Sequence, residues 1–142
     1  MAADEARRIL ALVNQDPRAA FNLMQDQFSV LVARTQVLLS LSGIVITVTG
    51  FSGRTIAQTS SLARTLVASG ILIVLSAAGV AIVGVLRLRW LTQELGDDVH
   101  ATLERMLQIR DAKSKALAVA LGLFVLGFGC YCVAIALMLA AA

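Results

Sequence analysis

Residues 65–86 read TLVASGILIVLSAAGVAIVGVL, an uncharged run of 22 residues held between Arg64 and Arg87. As a helix rising 1.5 Å per residue it reaches roughly 33 Å, against a bilayer hydrocarbon core of about 30 Å. Two further runs flank it. Between Arg34 and Arg54 lie 19 uncharged residues, TQVLLSLSGIVITVTGFSG, and after Lys115 come 27 more, ALAVALGLFVLGFGCYCVAIALMLAAA. These reach roughly 28 and 40 Å, so each is long enough to cross. The first is the most polar, with Ser40, Ser42, Thr47 and Thr49. Such hydroxyls can bond back to their own helix, which keeps the run compatible with insertion.

Composition supports the same reading. Of 142 residues, 58% are hydrophobic and 15% charged, whereas soluble globular chains are about 45–50% apolar with about a quarter of residues charged. A chain this short leaves much of its surface outside any core, so the apolar surplus is expected to face lipid. Three long uncharged runs exclude a soluble helical bundle, and the lack of period-two alternation excludes a β-barrel. The expected fold class is an all-α integral membrane protein. Three transmembrane helices (about 35–53, 65–86 and 116–139) would form a short antiparallel bundle, with cytoplasmic helical extensions as a stalk. Residues 17–142 then make one three-span domain, with 87–115 as a cytoplasmic helical segment and 1–16 as an N-terminal amphipathic segment. The first 36 residues hold four basic and four acidic side chains and no apolar core run, so no cleavable signal peptide is expected.

Lys and Arg set the orientation. The tail before the first span and the segment between the second and third carry ten of them, including Arg87, Arg89, Lys113 and Lys115 at span ends. The connection between the first two spans, SGRTIAQTSSLAR, carries Arg54 and Arg64 alone, and the C-terminus carries none. The basic-rich side is cytoplasmic by the positive-inside rule, placing the N-terminus inside and the C-terminus outside. Trp90 and Phe51 suit the inner and outer interfaces. An Ala-rich, Arg-over-Lys composition suggests a bacterial cytoplasmic (inner) membrane.

Outside the spans the pattern is helical. Asp16-Pro17 is a helix start, with Asp at the N-cap and Pro at the first helical position, and nothing interrupts the run from Pro17 into the first span. Phe21, Met24, Phe28, Leu31, Thr35 and Leu38 recur at spacings of three and four, the pattern of a seam facing another helix. Leu88, Leu91, Leu95 and Val99, continued by Leu103 and Met106, make a matching stripe. A bend is expected at Gly96, before Asp97 and Asp98, and a tight turn near Asp111. Asp26, Arg34, Glu94, Glu104 and Arg105 form a solvated outer face. Residues 3–13, with Ile9, Leu10, Leu12 and Val13 beside Arg7 and Arg8, can lie on an anionic membrane surface or cap the stalk.

Chemistry is sparse. Intramembrane ionisable residues mark relays and coupled transport because they are costly in lipid; the three runs contain none. His100 is the sole histidine and lies outside them, and metal sites need several converging donors. Cys130 and Cys132, two apart, point to nearly opposite sides of a helix and cannot pair with each other; with Met138 they are expected to be packing residues. No phosphate loop, zinc motif or triad is present. No cofactor, metal or enzyme activity is therefore expected, and no nucleic-acid partner, since the basic residues form no aromatic-interleaved patch.

What the spans do carry is small residues at helical spacing. Gly43, Thr47 and Gly50 lie on the first, Ala77, Gly79, Ala81 and Gly84 on the second, and Ala118, Gly122, Gly127 and Gly129 on the third; Cys130 and Ala134 repeat the spacing. Such residues let helices approach closely in lipid and are the usual association surface there. The expected role is a non-catalytic membrane subunit whose partners are the bilayer, other membrane subunits or copies of itself. The alternative is a homo-oligomeric pore or membrane-disrupting effector, with Ser40, Ser42, Thr47 and Thr49 lining it. In its helical tail followed by short-looped spans, with Arg34-Thr35-Gln36 leading into VLLSLSGIVITVTG, the chain loosely resembles the small multi-span effectors of bacterial anti-phage signalling systems, and that resemblance implies membrane disruption.

Overall fold

A computed structural model describes residues 2–14, 16–58, 60–86 and 99–140, all of it helix and short connections. The elements are α1 (Ala2–Leu12), α2 (Pro17–Ala57), α3 (Ser61–Ala81) continued by a single π turn (Ile82–Leu86), and α4 (Val99–Ala140). Three of the helices are long and apolar enough to cross a membrane.

Helix α2 begins where its sequence dictates. The Asp16 carboxylate accepts from the Arg18 N–H at 2.9 Å, satisfying one of the donors a helix start leaves open. It then continues for 41 residues, roughly 60 Å at helical rise. The expected connection of residues 52–64 is too long, because α2 continues to Ala57 and α3 starts at Ser61, so that Arg54 and Arg64 both lie within helices. Charge marks where an apolar run ends, not where a helix ends. Ser60 closes the turn by accepting from the Ala63 N–H at 3.3 Å.

The expected turn near Asp111 is absent. Helix α4 runs unbroken through Asp111 for 42 residues in all, since Ala112, Lys113, Ser114, Lys115 and Ala116 include no breaker and several strong helix formers. The bend at Gly96 lies outside the described residues, as do Trp90, Leu91 and Leu95.

Register fixes the topology. Gly70 meets Gly127 and Gly84 meets Ala116, while Lys113 reaches Val85. Rising α3 numbers pair with falling α4 numbers, so these helices are antiparallel. Arg110 bonds Gln27 and Lys113 covers Phe28; α2 and α4 thus run parallel, each antiparallel to α3.

Each helix buries one seam at spacings of three and four. On α2 it holds Met24, Leu31, Thr35, Leu38, Ser42, Val45 and Thr49, with Phe28 half-buried among them. On α3 it holds Ala63, Val67, Gly70, Val74, Ala77 and Ala81. On α4 Leu117, Ala120, Gly127 and Ala134 are buried, interleaved with half-buried Phe124, Tyr131 and Met138. This is the pattern of helices packing at a shallow angle.

Two apolar clusters result. In the first, Ala6 and Ile9 of α1 sit on Ala20, Met24, Leu103, Met106 and Leu107. The amphipathic α1 therefore caps the α2–α4 pair. In the second, Leu31 and Leu38 meet Ala81, Val85, Leu117 and Ala120.

Candidate functional site

Two features of the bundle carry chemical interest: a polar layer between the apolar clusters, and the outer faces of the spanning helices.

Arg110 anchors the layer. Its Nη1 and Nη2 nitrogens form a fork on Glu5 of α1 at 2.7 and 3.1 Å. Nη1 also donates to Gln27 of α2 at 3.0 Å. Nε and Nη2 donate to Asp111 at 3.0 and 2.6 Å. All five guanidinium donors are thereby engaged, joining α1, α2 and α4. The bond to Glu5 is the main cause that holds the guanidinium above its ordinary range, against partial burial. One turn on, Lys113 donates to the Val85 carbonyl at 2.9 Å and lies 5.8 Å from the Phe28 ring centroid. It thus satisfies a carbonyl of the π turn, where the regular helical ladder is disturbed. Burial pulls the Lys113 ammonium below its usual value.

Beside this layer a cavity of about 340 Å³ opens between α2 and α4. Gln27, Val30, Leu31 and Arg34 line it from α2, and Arg110, Asp111 and Ser114 from α4. Arg34 is exposed, and among the described residues it has no ion pair or hydrogen-bond partner. The exposure of Arg34 is compatible with the outer face expected for it, but its place on a shared cavity wall was not legible without the α2–α4 register.

No family model, curated protein or solved structure matches this chain.

The small residues expected at helix packing divide into two groups. Ala77, Ala81, Gly84 and Gly127 lie inside the bundle. A Cβ on Gly84 would stand 2.5 Å from the Ala116 Cβ, and one on Gly127 2.8 Å from the Gly70 carbonyl oxygen. Gly70, which the small-residue spacing missed because Leu66 and Val74 stand four away, is the other half of that backbone contact; the signal that finds it is the α3 seam. The remaining candidates lie on outer faces. Among the described residues nothing lies within 4 Å of where a Cβ on Gly43, Gly50, Gly79, Gly122 or Gly129 would stand, and Thr47 and Ala118 are exposed.

The hydroxyls divide in the same way, so the four residues expected together on a pore lining do not share one face of α2. Ser42 and Thr49 are buried and donate to the carbonyls of Leu38 and Val45 at 2.9 and 2.7 Å. Thr35 does the same to Leu31 at 2.8 Å. Ser40 and Thr47 are exposed, and among the described residues their side chains have no partner. Residues two apart on a helix lie on nearly opposite sides, so one pair turns inward and the other outward.

Of the other seam residues, Met24, Leu31, Leu103 and Met106 are buried, while Phe21, Phe28 and Val99 are half-buried. His100 is half-buried; Cys130 and Cys132 are free thiols, the first half-buried and the second exposed. Among the described residues no three His, Cys, Asp or Glu side chains converge as metal ligands would.

Proposed function

We propose that this chain is a non-catalytic subunit of a membrane assembly, held in a bacterial cytoplasmic membrane by α2, α3 and α4, with the N-terminus inside and the C-terminus outside. The uneven distribution of Lys and Arg supports the orientation. The outward faces support the insertion: large apolar side chains such as Val37, Leu72, Val83 and Val125 are exposed along all three helices, and lipid is the solvent that accepts them.

The observation that carries the association reading is the outer stripe of α2. Gln36, Ser40, Gly43, Thr47 and Gly50 recur at spacings of four and three and face outward. The glycines leave room for another helix backbone, and the two hydroxyls lack the partners that every buried hydroxyl of α2 has. Unpartnered polar groups in hydrocarbon are unfavourable, and small residues beside them allow a neighbouring helix to supply partners. Gly122 and Gly129 give α4 a second outer approach.

Extraction in a mild detergent, followed by measurement of the complex mass and of co-purifying chains, tests this. A fixed assembly with other membrane proteins supports the subunit role. A particle of one chain per micelle, with no partner, sinks it. The second reading is a pore made of several copies, which the outward Ser40 and Thr47 hydroxyls favour as a polar lining. A pure homo-oligomer that conducts ions in liposomes would establish that reading in place of the first.

A further inference from the structure

The α2–α4 cavity is matched to one kind of molecule. Its charges are arranged in an unusual way. Arg110 lines it, but all five of its donors are spent, and Glu5 balances its charge in a forked ion pair. What remains available, among the described residues, is the unpaired guanidinium of Arg34 from α2 and, from α4, the Ser114 hydroxyl and the Asp111 carboxylate, whose Oδ1 accepts from Arg110 while its side chain stays half exposed. Among the described residues the cavity thus offers a cation without a partner and a carboxylate whose Oδ2 is still open, the complement of a zwitterion.

Its position supplies the second argument. Arg34 is the last charge before the uncharged run of α2, and Ser114 lies one residue before Lys115, the last charge before that of α4. On the inserted chain this is the depth of the headgroups. Above Arg34, along the same side of α2 at spacings of three and four, lie Val37, Leu41, Ile44 and Val48, all exposed. Above Ser114, on the matching side of α4, lie Leu121, Val125 and Phe128, also exposed. A polar cavity with two apolar stripes rising from it has the amphipathic shape of a lipid, and a free phosphate ester would leave the stripes unused.

We propose that the cavity is a site for one phospholipid with a phosphoethanolamine headgroup. The phosphate is held by Arg34 and the Ser114 hydroxyl, the primary ammonium by Asp111, and the acyl chains lie along the two stripes. A choline headgroup carries no N–H to donate to Asp111. A glycerol headgroup adds a net negative charge with no cation for the carboxylate.

The proposal rests on the membrane reading, and its test separates the two. The full chain is purified in mild detergent. Retention of ethanolamine, choline and glycerol phospholipids with identical acyl chains is then measured by native mass spectrometry. One ethanolamine lipid per chain is expected, preferred severalfold over both others. Arg34→Gln is expected to weaken its retention at least about tenfold, the effect of losing a charge-assisted hydrogen bond. Because Arg34 is exposed and unpaired, helicity and melting temperature stay unchanged. Asp111→Asn is expected to erase the preference for ethanolamine over choline while phosphate binding persists. Equal retention of all three lipids, a preference for the glycerol lipid, or an Arg34→Gln protein that binds like wild type would each overturn the proposal. So would displacement of the lipid by soluble glycerophosphoethanolamine at equal concentration, which would assign the site to a free phosphate ester. Carbonate extraction of the starting membranes reports on the other reading: a chain that stays in the pellet but shows no lipid preference sinks the site alone, and a chain released to the supernatant sinks both.

Discussion

The contact between Gly70 and Gly127 gives the most direct test of the bundle. A methyl on Gly127 would stand 2.8 Å from the Gly70 carbonyl oxygen, 2.9 Å from Val74 Cγ2 and 3.0 Å from the Val74 nitrogen, where ordinary contact begins at 3.4 Å. Two of these three neighbours are backbone and cannot rotate away. Gly127→Ala must therefore part α3 from α4 by roughly half an ångström, an overpacking cost of about 1–3 kcal/mol. Opposing it is the helix propensity of Ala, worth about 1 kcal/mol over Gly. Gly129→Ala on the same helix is the control, because none of the described residues lies within 4 Å of its Cβ position. It gains the propensity without the clash. The difference between the two variants isolates the overpacking cost. At roughly 4 °C per kcal/mol for a chain of this size, Gly127→Ala should melt about 4–12 °C below Gly129→Ala. The assay is thermal unfolding in detergent followed by far-UV circular dichroism, with particle mass checked for each protein. Gly70→Ala should resemble Gly127→Ala, and the double variant should cost less than the sum, since one separation relieves both clashes. Equal melting of Gly127→Ala and Gly129→Ala would refute the close approach of the two backbones.

Other consequences follow from the polar layer and the outer faces. Glu5→Gln removes the charge on which Arg110 forks and should loosen α1 by about 1 kcal/mol, seen as faster hydrogen exchange over residues 2–12 with exchange in the α3 seam unchanged. Ile9→Asp, which places a charge in the α1–α2–α4 cluster, should release α1 outright by the same readout. Lys113→Met leaves the Val85 carbonyl without its ammonium donor, so exchange over residues 82–86 should rise. Burial holds Lys113 below its usual value of 10.5, so between its lowered value and 10.5 the unfolded chain binds more protons than the folded one, and stability rises with pH in that window; denaturant titrations should show this slope in wild type and lose it in Lys113→Met. Paired replacement Ser40→Leu and Thr47→Leu should dissociate the assembly without lowering the melting temperature of the isolated chain, and an assembly mass identical to wild type would count against the outer stripe as its interface.

Much of the architecture was legible because the constraints are local. An uncharged run of bilayer length needs no partner to be recognised, and Asp16-Pro17 specifies a helix start through its own side chain and ring. The α2 seam was legible over Phe21–Leu38, where large residues mark it. It continues through Ser42, Val45 and Thr49, but there hydroxyls interrupt the apolar signal. They tolerate burial because each bonds a carbonyl of its own helix. Helix ends were placed too early at Arg54 and Asp111, and the start of α3 too late at Arg64, since charge reports solvent and not backbone conformation. The Arg110 network joins residues as far apart as Glu5 and Arg110, and no sequence spacing announces it. The π turn at Ile82–Leu86 carries Gly84 as its one weak helix former, a signal no stronger than that of the other span glycines, and among the described residues the Lys113 bond to Val85 is what shows how it is supported.

The small residues show why a sequence can reveal an association surface without saying what it associates with. A helix in a three-helix bundle presents only part of its circumference to its neighbours. Small residues at spacings of three and four that fall on that part bring the chain's own backbones together, as Gly70 and Gly127 do. Those on the remaining part are equally good at close approach but, among the described residues, have nothing to approach. On α2 the two sets are separated by the difference between Ser42 and Ser40, two residues and half a turn apart. Sequence spacing treats both alike; the register of α3 and α4 against α2 decides which is used. Because the inner seam already closes the bundle, the outer glycines add nothing to its packing, and as residues they weaken a helix by about 1 kcal/mol each relative to Ala. That cost, incurred at Gly43, Gly50, Gly122 and Gly129 alike, is what the proposed approach of a helix from outside the chain would offset.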